Sequence, residues 1–167
     1  MIKNGIAASN QYGVGDRTSV FVVHANGQLQ VYWVLGGAWN GQMLIGSTGC
    51  FPPGAAVAAS PHYGVMNQTV VFAVGADGQL RLASVWATGT ALRGTGPPGL
   101  FPPGAGMAAS GVERQGSPSS TNFFAVARDG RLCVCSNVRG GRSHAARTPP
   151  WPRRGYRPRR SGPRAAG

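Results

Sequence analysis

The sequence predicts an all-β fold: an incomplete β-propeller of about three four-stranded antiparallel blades, followed by a disordered C-terminal tail. Two observations predict the blades. A pattern beginning FPPGAAVAAS at Phe51 and running on through QTVVFAV and GADGQLRL returns from Phe101 as FPPGAGMAAS and TNFFAVARDGRL. A copy without the opening corner, NGIAAS and then TSVFVVHANGQLQV, begins at Asn4. Ser9, Ser60 and Ser110 are spaced 51 and 50 apart, and Thr18, Thr69 and Thr121 are 51 and 52 apart. Repeats of about 40–50 residues built from short strands are the mark of propeller blades. The second observation is that Asn26-Gly27, Asp77-Gly78 and Asp129-Gly130 fall at one place in all three copies, a strong hairpin signal. A third observation predicts the tail: the periodicity stops after Val138.

Each copy reads as four extended segments, with the second as guide. Ala55 to Ser60 is small and apolar, as the strand nearest a crowded propeller axis must be. Thr69 to Val74 is β-branched and aromatic, and Asp77-Gly78 turns it into Gln79 to Val85. The fourth segment is clearest in the first copy, Trp39 to Ile45, before an FPPG corner leads inward to the next blade. The blades are placed at about 4–49, 50–100 and 101–138, the last without its outer strand, within a propeller domain of residues 1–138. Counting from the turn glycine, Leu29, Val31 and Trp33 share a face and correspond to Leu80, Leu82 and Ser84, then to Leu132, Val134 and Ser136. The Trp33 position has become serine twice.

Composition narrows the function classes. Gly 27 and Pro 13 make about a quarter of the chain, and many recur at fixed places in the repeat as turns. Of the net charge of +12, nine arginines after Val138, with no acid among them, supply nine units and leave +3 for residues 1–138. Residues 139–167 are almost wholly Arg, Pro, Gly, Ala and Ser. They bury too little apolar surface to offset chain entropy, and their GC-rich codon bias is what a shifted reading frame replacing further blades would leave. The tail, with Trp151 and Tyr156 among its arginines, offers nonspecific affinity for nucleic acid; the plainer reading is a solvated extension.

Cys50, Cys133 and Cys135 have neither disulfide nor zinc spacing, and His24, His62 and His144 share no ligand pattern. No metal or cofactor is expected. The four acids are Asp16, Asp77, Glu113 and Asp129. Two belong to turns and two to loops of different blades, so a paired-carboxylate hydrolase is not expected. With no GxSxG or phosphate-binding loop either, catalysis is not expected. No long apolar run and no signal-peptide pattern appear, so the expectation is a soluble protein without membrane insertion, cytoplasmic or released without a classical signal.

The combination HYGVMNQTVVFAV, GQLQVYWV, GGAWNGQMLIG and FPPGAAVAAS resembles the repeats of the bacterial seven-bladed β-propeller lectins of the Photorhabdus fucose-binding type, over about 138 residues. The resemblance implies a carbohydrate-binding module without catalysis, taking fucosylated and sometimes O-methylated glycans in clefts between blades. An indole packs on the apolar face of a deoxy sugar while placed polar groups meet its hydroxyls. On that basis Trp33, Trp39 and Tyr63 form the platform, and Ser60, Asn67 and Gln68 the hydrogen-bonding wall, of one cleft between blades one and two. The same tryptophans also suit plain packing between blades. The next cleft, with Ser84 for Trp33 and a longer loop, is expected to be lost or changed. The other reading is a nonfunctional or structural propeller fragment. In either case three blades leave apolar sides that favour self-association, such as a dimer completing a six-bladed ring.

Overall fold

The computed structural model describes residues 5–11, 13–63, 65–86, 89–113, 119–138 and 144–147. The described chain is twelve strands: β1 (Ile6–Asn10), β2 (Arg17–Val23), β3 (Leu29–Leu35), β4 (Ala38–Ile45), β5 (Val57–Pro61), β6 (Gln68–Val74), β7 (Leu80–Trp86), β8 (Gly89–Thr95), β9 (Met107–Val112), β10 (Ser120–Val126), β11 (Leu132–Val138) and β12 (His144–Arg147). They form three antiparallel four-stranded sheets, each a meander in chain order. This is the expected stack of three blades, and it is open rather than closed into a ring.

One expectation is corrected. The third blade has a fourth strand, because β12 pairs with β11 from Cys133↔Arg147 to Ser136↔His144. Apolar periodicity could not announce it: the outermost strand of a blade is largely solvated, as β4 is, so backbone pairing suffices to hold one. The expected disorder of the tail otherwise falls on residues 139–143 and 148–167, which lie outside the described residues.

Why the turn dipeptides recur is visible in the hydrogen bonds. In each blade the middle hairpin closes with an i to i+3 bond, Gly27 N–H to the His24 carbonyl, Gly78 to Gly75 and Gly130 to Ala127. Each turn ends on a left-handed glycine, with φ of 76°, 71° and 79°. The residue before the glycine accepts through its side chain from the backbone two residues on: Asn26 from Gln28 at 3.0 Å, Asp77 from Gln79 at 3.0 Å and Asp129 from Arg131 at 3.1 Å.

The hairpin tip then latches the FPPG corner. Phe51 N–H donates to the Gly27 carbonyl at 3.0 Å and Phe101 N–H to that of Gly78 at 3.1 Å. Within each corner a proline followed by left-handed Gly54 or Gly104 makes the turn that sends the chain inward. The latch seats Phe51 and Phe101 in the blade interfaces, both essentially inaccessible to solvent.

Two apolar cores fill the spaces between blades. Between the first and second, Phe21, Val23, Leu29 and Val31 meet Val71, Ala73, Ala83 and Val85. Between the second and third, Val70, Phe72, Leu80 and Leu82 meet Phe123, Ala125, Cys133 and Cys135. Phe72 and Phe123 stack at 5.2 Å, and Phe101 meets Phe123 edge-on at 6.1 Å. Burying each such ring contributes about 2–3 kcal/mol. Cys133 and Cys135 thus serve as apolar packing, and none of the three cysteines forms a disulfide.

The threonines that set the sequence period have a structural task. Thr69 Oγ1 donates to the Asn10 carbonyl and Thr121 Oγ1 to the Pro61 carbonyl, each at 3.3 Å and each from one blade to the one before. Thr18, at the head of the series, donates instead to Asn10 Oδ1 of its own blade at 3.3 Å.

Candidate functional site

The connections β1–β2, β3–β4, β5–β6 and β9–β10 lie at one end of the blades, and the NG and DG hairpins at the other. All six sequence-derived candidates sit at or near the first end. The faces they occupy follow from strand alternation and differ from the expected single cleft.

Trp33 lies on the face of Leu29 and Val31, turned toward the second blade. Its ring covers the backbone of Gly41, the left-handed residue at a bulge in the β3–β4 pairing. On that same face the Arg17 guanidinium lies over the indole, 4.9 Å from its centroid. Trp39 is elsewhere. It pairs with Val34, which alternates away from Trp33, so it stands on the open face of the first blade and is 70% exposed.

Ser60 and Tyr63 also turn the other way. A Cβ on Gly111 of β9 would fall 2.5 Å from the Tyr63 ring and 2.8 Å from Ser60 Oγ, which places both against the third blade. Gln68 alternates with the second-blade residues that face the third, and its Oε1 is 2.7 Å from Nδ1 of buried His62. Asn67 is exposed with a left-handed φ of 59°. The grouping of Trp33 and Trp39 opposite Ser60, Tyr63, Asn67 and Gln68 is therefore corrected: Trp33 belongs to the cleft between blades one and two, Ser60, Tyr63 and Gln68 to the next, and Trp39 to neither. The reason is the period-two alternation of a strand, in which one residue of offset exchanges one cleft for the other.

The same alternation shows how the second cleft differs. Ser84 stands where Trp33 would, but Trp86 follows on the same face two residues on, opposite Gln68 in the β6–β7 pairing. The indole has moved one step outward along the strand rather than vanished, and it is 36% exposed.

Sequence reasoning passed over a cavity at this end. It measures about 600 Å³ and is lined by Asn10, Val14, Gly15, Asp16, Arg17, Thr18, Gly36 and Gly37 of the first blade. Asn10, Thr18, Val34 and Trp39 form one cross-strand row leading from the cavity across the open face. Arg17 supplies its strongest donor. Burial pushes the guanidinium below its ordinary value, the group stays charged, and its Nε is buried without a hydrogen-bond partner. An arginine whose guanidinium rests on an indole, lining one cavity with a carboxylate, an amide and a hydroxyl, belongs to a set that can take several ligand hydroxyls at once.

The missed signal was the repeat itself. Residues 10–18 are the first-blade copy of 61–69, so the copies of Asn67 and Gln68 are Asp16 and Arg17. Asp16 shares the left-handed conformation, with a φ of 57°. Among the described residues no three His, Cys, Asp or Glu side chains gather as a metal site would, and no helix is long and apolar enough to cross a membrane.

No protein-family model matches the chain, and no curated protein matches it. Among solved structures, the BP39L lectin from Burkholderia pseudomallei is similar at 45% sequence identity and a TM-score of 0.72, over 84% of this chain and 41% of that one. A mutant of AofleA from Arthrobotrys oligospora overlaps at 12% identity and a TM-score of 0.44, over 87% of this chain and 56% of that one. The chain spans less than half the length of BP39L. Over most of its length the chain is thus similar, in sequence and in blade architecture, to part of a bacterial lectin, and three blades account for that similarity.

Proposed function

We propose that this chain binds carbohydrate at the loop end of its blades, with fucose or a related deoxy sugar, O-methylated or not, as the ligand class. The observation that carries the reading is a polar cavity of about 600 Å³ lined by Asn10, Asp16, Arg17 and Thr18, with the Arg17 guanidinium held over Trp33 beside it. That volume is in the range of small-ligand sites, and its lining mixes the donors and acceptors that sugar hydroxyls require. Similarity to a lectin over most of the chain supports the same class.

In this reading Arg17 donates to ring hydroxyls and Asp16 and Asn10 accept from them at the cavity, while Trp39, on the open face beyond it, offers its exposed indole to the apolar face of the glycan. The cleft between blades two and three is a second, different site, where Trp86 and Tyr63 replace Trp33 as the apolar surface and Gln68 replaces Arg17. Ser60 and Asn67 border it from the loop.

The test is calorimetric titration of the full chain with methyl α-L-fucoside, its 2-O-methyl derivative and methyl α-mannoside. Fucoside binding weakened about tenfold or more by Arg17→Ala, from loss of a charge-assisted hydrogen bond, is the expected result. Binding untouched by Arg17→Ala and by Trp39→Ala would remove the first-blade site, and no binding of any glycoside would remove the reading.

A further inference from the structure

The outer sides of the first and third blades are the two halves of a joint that this chain already makes twice. Along the third blade, Phe124 occupies the position of Phe72 and Phe21, and Val126 that of Val74 and Val23. Those four counterparts are at most 3% exposed, whereas Val126 is 52% exposed. On the first blade, Val20 occupies the position of Val71 and Phe123, both fully buried. No described element packs on either side.

Polar groups match in the same way. In both internal joints a period threonine donates to the carbonyl at the end of the preceding inner strand, Thr69 to Asn10 and Thr121 to Pro61. The next acceptor in that series is the Gly111 carbonyl of β9, and the matching threonine at the other end is Thr18, whose hydroxyl turns within its own blade to Asn10 Oδ1. A blade side that ends in an acceptor fits a blade side that begins with a donor, and fits its own kind poorly.

We infer that two copies of this chain join head to tail, the third blade of each receiving the first blade of the other, with Thr18 donating to Gly111 of the partner subunit at both joints. The occupant is a second copy because each side repeats the residues that pair inside the chain, position by position. A head-to-tail contact either closes or grows into a filament. Two copies of three blades close at six, within the span of about four to eight blades that propellers adopt.

The joint also finishes a binding site, a point that rests on the carbohydrate reading. The row Asn10, Thr18, Val34 and Trp39 lies on the joining side of the first blade, and the cavity of Asp16 and Arg17 opens at its inner end. By equivalence with the internal joints, the facing row of the partner is Ser110, Asn122 and Ser136, in which Ser136 Oγ donates to Asn122 Oδ1 at 2.7 Å. Of the first-blade site, Asn10 and Thr18 therefore face the partner across the joint, while the Arg17 guanidinium stays on the second-blade side of the same cavity.

Sedimentation velocity of the full chain across a hundredfold concentration range tests the assembly. A species of twice the 17.2 kDa chain mass is expected, and a single-copy species at every concentration would overturn the inference. Val20→Asp and Val126→Asp should each give single copies, since each puts a charge into both joints. An equimolar mixture of the two should regain the dimer, because one of its two joints is then unaltered. A dimer that survives either substitution alone, or monomeric variants that do not re-pair on mixing, would refute the head-to-tail arrangement. In the fucoside titration, Val126→Asp should weaken binding about tenfold while leaving every first-blade group in place. Full-strength binding by the monomeric variant would refute the shared site, and absence of fucoside binding by the wild-type dimer would refute the carbohydrate reading but not the assembly.

Discussion

The latch between hairpin tip and corner gives a prediction in which one blade serves as the control for another. Gly78 and Gly130 occupy the same turn position with φ of 71° and 79°, so alanine at either must take a left-handed conformation, at about 1–2 kcal/mol. Both substitutions also restrict the unfolded chain, which returns about 0.4–1 kcal/mol. These two effects cancel in the comparison. What differs is the surroundings: a Cβ at residue 78 would lie 2.5 Å from the Phe101 carbonyl oxygen and 3.1 Å from the Gly99 Cα, while one at residue 130 meets no described atom within 4 Å.

Backbone cannot rotate out of the way as a side chain can, so Gly78→Ala must push the corner off the hairpin. That adds overpacking of about 1–3 kcal/mol and weakens the bonds from Gly99 to Asp77 at 2.8 Å and from Phe101 to Gly78 at 3.1 Å, each contributing about 1 kcal/mol. Gly130→Ala should therefore cost about 1 kcal/mol, and Gly78→Ala at least about 2 kcal/mol more. Urea unfolding followed by tryptophan fluorescence measures both, at one fixed protein concentration because association shifts apparent stability. Costs agreeing within about 0.5 kcal/mol would refute the latch.

Other outcomes follow from the same geometry. Thr121→Val keeps the shape but removes the bond to the Pro61 carbonyl, and should lower stability by about 1 kcal/mol; no change in the urea midpoint would show that the bond does not hold the blades together. Phe123→Ala removes the ring that meets both Phe72 and Phe101, and a loss of about 3–5 kcal/mol is expected in the same assay; a loss under 1 kcal/mol would deny it a central place. Burial first, and then neighbouring Cys133, push the Cys135 thiol up to about 11 from the usual 9.0. A thiol held protonated by the fold contributes stability that is complete below the unfolded value and lost as pH rises through the folded one. Stability should thus fall between about pH 9 and pH 11 more steeply in the wild type than in Cys135→Ala, and equal slopes would refute the assignment.

Much of the fold was legible because the repeat states it three times. The asparagine or aspartate before each turn glycine, the FPPG corners and the small residues of the inner strands each answer a local requirement of the backbone, and local requirements are written in neighbouring residues. The binding region was less legible. Trp33, Ser60, Tyr63 and Gln68 were recognised as residues of clefts, yet not of which cleft, because a strand turns alternate residues to opposite blades. Arg17 was overlooked since an arginine at the start of a strand reads as solvent-facing until Trp33, sixteen positions on, is seen beneath it.

By itself, then, the amino-acid order determined the blade, its four strands and its period, since turn chemistry and alternating burial act over a few residues. Only the tertiary structure decided that Trp39 looks outward while Trp33 looks toward the second blade, that Thr69 and Thr121 join blades while Thr18 bonds within its own, and that β12 completes the third sheet. Those facts depend on which blade stands on which side. That is a relation between segments some fifty residues apart, and no local pattern records it.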